Sequence, residues 1–116
     1  MSAGGIPRRD RLVVLLRASV VENELGEALP SGWVEHARAR ASFAPVSDGE
    51  RLRAAAVEQK SDARFVLRWS PRLAQVTGAF RLRFEGRDWQ ITGVKAIGRR
   101  RWIELTAWRL TTSEGV

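Results

Sequence analysis

Between Phe80 and Leu110, apolar and polar residues alternate with period two, and short glycine-bearing breaks interrupt the pattern. Phe80, Leu82 and Phe84 alternate with Arg81 and Arg83. Trp89 and Ile91 alternate with Asp88, Gln90 and Thr92. A last run, 102–110, places Ile103, Leu105 and Ala107 on one face and Trp102, Glu104, Thr106 and Trp108 on the other. Such alternation marks strands that bury one face. The breaks at Glu85-Gly86 and at 98–101 predict tight turns, because glycine lets the chain reverse over few residues.

Upstream, residues 12–21 are rich in valine and leucine on both faces, which predicts a strand covered on both sides. Residues 33–46 predict a second strand, long enough to bend. Trp33, Ala37, Ala39, Ala41 and Phe43 share one face; Val34, His36, Arg38, Arg40 and Ser42 share the other, with His36 facing solvent. Between these strands, the acidic stretch 22–32 carries Asn23, Gly26, Pro30 and Gly32 and reads as a loop. It is close to the upper length for a loop in a compact domain. A plain hairpin connection and a contact arm for a neighbouring subunit fit it equally well.

Ser47 and Glu50 form a capping box that opens a helix running to about residue 60. Its apolar stripe is narrow, consisting of Leu52, Ala55 and Ala56, so it needs a partner surface, either its own barrel or another chain. Residues 64–69 predict a third strand, with Phe65, Leu67 and Trp69 inward and Arg64, Val66 and Arg68 outward. Ser70-Pro71 ends it, since proline cannot continue a ladder. Residues 72–79 form a connection that turns at Gly78. The sum is a mainly β domain: a small antiparallel barrel or sandwich of about six strands, with one helix between strands two and three. All 116 residues fit a single domain, with residues 1–8 and 111–116 as tails.

Composition narrows the function. There is no cysteine, which excludes disulfides and thiolate catalysis. His36 is the only histidine, and no nucleophile elbow accompanies it. Phosphate-loop and dinucleotide-binding glycine motifs are missing, and the acidic residues are scattered rather than paired. The residues therefore imply no cofactor, no metal and no catalysis. No apolar run approaches the ~20 residues of a membrane span, so the expected setting is a cytoplasm or a particle assembled in one.

The net charge is +7, and 18 of the 20 basic residues are arginine. Arg38, Arg40, Arg64, Arg68, Arg81 and Arg83 all lie opposite the core faces of their strands. Neighbouring strands would turn them into a basic platform facing phosphates, or an acidic protein surface. Cross-strand pairing with Glu35 or Glu104 is the plainer use of each. Arg99, Arg100 and Arg101 add a basic hairpin tip. Trp102 and Trp108 occupy a half-polar face, which suits an interface anchor or base stacking.

Order and spacing along the chain resemble the phage head–tail joining proteins, also called head closure or stopper proteins, of siphovirus-type phages and gene transfer agents. The resemblance runs from Arg9 to Leu110. It rests on the strand Arg11-Leu12-Val13-Val14-Leu15-Leu16 and on Gly32-Trp33-Val34 leading to Ala44-Pro45-Val46-Ser47-Asp48-Gly49-Glu50. Asp62-Ala63-Arg64-Phe65-Val66-Leu67-Arg68-Trp69 follows, then Arg81-Leu82-Arg83-Phe84-Glu85-Gly86-Arg87-Asp88-Trp89-Gln90-Ile91-Thr92-Gly93-Val94. The first strand departs from the pattern by lacking polar alternation. The resemblance implies a homo-oligomeric ring, hexameric or dodecameric, in a virion or phage-like particle. The ring would sit between a portal-side adaptor protein and a tail terminator or other tail protein, around packaged double-stranded DNA. It also implies that the segment between strands two and three approaches the channel or a neighbouring subunit. A small basic nucleic-acid-binding barrel is the alternative.

Overall fold

The computed structural model describes residues 10–49, 52–53 and 62–110. Six strands are present among them: β1 (Arg11–Glu22), β2 (Ala28–Pro45), β3 (Ala63–Arg68), β4 (Arg81–Phe84), β5 (Arg87–Ile97) and β6 (Trp102–Arg109). All neighbours are antiparallel, and the order β1-β2-β3-β6-β5-β4 closes into a barrel when β4 pairs with β1. Closure leaves no sheet edge in the barrel wall, which a small all-β chain otherwise has to protect.

The predicted alternation holds in the three closing strands. Leu82, Phe84, Trp89, Ile91, Ile103, Leu105 and Ala107 are buried, and they meet Val13, Leu15, Ala41, Phe65 and Leu67 from the other strands. Phe65 sits at the centre of an aromatic group. Its ring lies 5.4 Å from each of Phe43, Phe84 and Trp89, in tilted or edge-on geometry. Such pairs add to burial, because the positive ring edge meets the negative ring face. At Glu85-Gly86 both residues have positive φ, 53° and 76°. That is the backbone of the two-residue turn whose twist matches an antiparallel pair.

Three features depart from the sequence-based expectation. First, 22–32 is not a loop. Val20 pairs with Pro30, Val21 with Leu29 and Glu22 with Ala28, so β1 and β2 run on as a two-stranded arm. The turn residue Asn23 stands in for backbone: its Oδ1 accepts hydrogen bonds from the Leu25 and Glu27 amides, both at 2.9 Å. Second, the faces of β2 change partway along. Leu15 pairs with Ala37 but Leu16 with Glu35, leaving His36 as the extra residue of a bulge. The bulge shifts the alternation, so Trp33 leaves the alanine face and lies outside under the Arg81 guanidinium, 4.5 Å from the ring centroid. His36, expected in solvent, is 5% exposed.

The third concerns the predicted helix 47–60. Asp48, Gly49, Leu52 and Arg53 have helical backbone, while Ala55 and Ala56 lie outside the described residues. No complete helix stands between β2 and β3 among the described residues. The short helical element lies instead between β3 and β4, as the 3-10 turn Leu73–Gln75. This turn buries Leu73 and Val76 against the core. The predicted tails, 1–8 and 111–116, also lie outside the described residues.

Candidate docking surfaces of the barrel

Strand direction sorts the connections between the two barrel ends. β1, β3 and β5 run one way and β2, β4 and β6 the other. The arm tip 23–27, the β3–β4 connection and the β5–β6 turn 98–101 therefore all lie at one end. The opposite end holds Asp10, the β2–β3 connection, the Glu85-Gly86 turn and Leu110. There, Val46 donates to the Asp62 carbonyl at 3.0 Å and Asp62 to the Ala107 carbonyl at 2.9 Å. Arg11 pairs with Glu85 at 3.2 Å.

The arm is unlike the rest of the surface. Val20, Val21 and Leu29 are 62%, 52% and 43% exposed, and Leu25 at its apex is 83% exposed. Three carboxylates, Glu22, Glu24 and Glu27, surround that apex, all exposed. A two-stranded hairpin buries too little to stand alone in water. Apolar side chains on both of its strands are therefore left uncovered.

At the arm base, His36 ties β2 to the β3–β4 connection. His36 Nε2 lies 2.8 Å from the Arg72 carbonyl, and Arg72 Nε donates to the His36 carbonyl at 2.7 Å. The His36 ring meets Phe80 edge-on at 5.0 Å. This is a structural clamp. Beside it lies a cleft of ≈ 490 Å³ whose lining includes Ala37, Ala39, Trp69 and the arginines 38, 68 and 72. The Trp69 ring carries Arg100 at 5.4 Å, and the Trp69 amide donates to the Arg101 carbonyl at 2.9 Å.

The six strand arginines lie on outer positions but are unequally engaged. Val14 pairs with Arg38 on one side and Arg83 on the other, Leu12 with Arg40 and Leu16 with Arg81, so four of the six flank β1. Arg38 binds Glu35 at 2.9 Å, Arg83 binds Asp88 at 2.8 Å and Arg64 lies 4.0 Å from Glu104. The hydrogen bond from Arg38 holds the Glu35 carboxyl below its ordinary range, and Asp88 raises Arg83. Both shifts favour the charged forms, so the pairs persist at neutral pH. The Glu35 contribution fades only as acid protonates its carboxylate. Arg40 and Arg68 have no carboxylate within ion-pair distance among the described residues.

Trp102 and Trp108 are half-buried on the outer face, with Arg68 6.0 Å from the Trp102 ring. Leu52 is 73% exposed. No group of three or more His, Cys, Asp or Glu gathers to hold a metal among the described residues. The cleft is what sequence reasoning missed, and with it the strand pairing of 22–32, which it read as a loop or a contact arm. Leu25 between Glu24 and Glu27 was the available signal, an apolar residue with no alternation to bury it.

The family model for phage head completion proteins matches residues 5–110. No curated protein sequence matches the chain. The solution structure of protein SF1141 from Shigella flexneri 2a is similar with a TM-score of 0.73 at 18% identity, over 97% of this chain and 99% of that one. A chain from the virion of a native gene transfer agent particle is similar with a TM-score of 0.55 at 21% identity, over 90% of this chain and 97% of that one.

Proposed function

The chain belongs to the family of phage head completion proteins, and we propose that it is a non-catalytic, ring-forming connector between the portal-side adaptor of a filled capsid and the tail. The ring closes the head, retains the packaged DNA and gives the tail proteins a surface to dock on. The arm carries this reading. Val20, Val21 and Leu25 are exposed together on a bare hairpin, and a contiguous apolar surface of this kind marks a contact site. One such contact is weak, but repetition around a closed ring makes it durable.

Electron microscopy of particles from a strain lacking the gene tests the proposal. The expected result is full heads that leak DNA and carry no tails. Tailed particles that mature normally would overturn it. The rival reading, a barrel that binds nucleic acid on its strand arginines, is weakened because Arg38, Arg64 and Arg83 already face carboxylates. Its signature would be duplex binding with a steep salt dependence.

A further inference from the structure

We infer that the arm tip of one copy docks in the arginine cleft of the next, which makes the ring contact heterologous. The inference rests on the ring reading and specifies which surfaces meet. One surface protrudes and the other is concave. The tip is a knob with Leu25 at its apex, 83% exposed. The cleft, at ≈ 490 Å³, is open and roomy enough to admit a leucine side chain with its neighbours, and Ala37, Ala39 and Trp69 supply an apolar lining.

They match in charge. Glu22, Glu24 and Glu27 ring the apex, while Arg38, Arg68 and Arg72 line the cleft. Glu35 already engages Arg38. Arg68 and Arg72 have no carboxylate within ion-pair distance among the described residues, and Arg100 over Trp69 adds a cation beside them. The residue beyond the bulge, Ala37, lines the cleft while β2 continues outward into the arm. Knob and socket are thus built on one strand but displaced along it. The tip stands roughly 17 Å beyond the Ala18–Trp33 pair, counting five residues at about 3.4 Å each. It therefore points to a neighbour's socket, not its own. A knob and a socket at different places on one subunit generate a ring when the rotation between copies closes, which is what the ring reading requires.

Charge reversal tests this on the full chain, with sedimentation velocity as the readout and thermal unfolding to confirm that each variant folds. E22R/E24R reverses the tip, and R68E/R100E reverses the cleft. Each alone should associate about tenfold more weakly than the wild type, or worse, because like charges then face each other. An equimolar mixture of the two should recover association, since every tip then finds an opposite cleft. L25S should weaken association without lowering the unfolding temperature. Wild-type association that none of these changes alters would overturn the docking and leave the ring reading standing. Wild-type protein that fails to associate at any concentration, alone or on portal-bearing heads, would overturn both. If R68E/R100E lost duplex DNA binding but kept wild-type association, the cleft would serve phosphate and the docking would be wrong.

Discussion

His36 shows how one residue can set the shape around it. As the extra residue of a bulge it is turned out of the ladder, and its ring and carbonyl both find Arg72. Removing either partner leaves a buried polar group without its bond, a loss of about 1–3 kcal/mol. We expect His36→Ala to lower unfolding stability by that amount in urea titration. Arg72→Ala should cost a similar amount through the other bond, since each side chain bonds the other's backbone carbonyl, so the double variant should cost about the sum. A double variant that costs much less would show that losing one bond already frees the other. Gly86 makes a cleaner case. At φ 76° an added Cβ would meet nothing within 4 Å, so Gly86→Ala should cost about 1 kcal/mol through backbone strain alone.

At the scale of elements, the closing strands were readable because their alternation runs undisturbed through the core positions: Leu82, Phe84, Trp89, Ile91, Ile103, Leu105 and Ala107 are buried where period two puts them, and the irregularity in β5 falls only after Ile91. β2 was misread at Trp33 because a bulge changes phase without leaving a mark in composition. The strand pairing of the arm was hidden for a related reason. Asn23, Gly26, Pro30 and Gly32 look like loop punctuation, yet Asn23 and Gly26 (φ 80°) form the turn while Pro30 and Gly32 sit within the paired strand. Proline is tolerated there because the outer edge of the arm has no ladder partner to miss its N–H. An arm paired only with itself should open more readily than the wall. Amides of Val20 to Leu29 should therefore exchange with solvent far faster than those of Phe65 and Leu105 in hydrogen-exchange measurements. Equal protection in the isolated chain would mean that the arm is covered by a contact its own barrel supplies.

For the molecule as a whole, the two barrel ends carry different features. The arm, the cleft and the arginine turn share one end; the β2–β3 connection, with Leu52, leaves from the other. In the proposed ring, contact between subunits at the first end would leave the second free for the head or the tail. The barrel core is complete without Leu52: Phe65, Leu67, Leu82 and Leu105 are fully buried, and Leu52 is 73% exposed. A charge there should therefore cost the fold within about 0.5 kcal/mol. We expect Leu52→Glu combined with Ala55→Glu and Ala56→Glu to unfold at the wild-type temperature by calorimetry while particles carrying it fail to join heads to tails. Such a variant should still self-associate through the arm, which separates docking from ring formation. Loss of the folded barrel in the triple variant would mean that the stripe packs on its own chain. Normal tailed particles would mean that the second end docks through other residues.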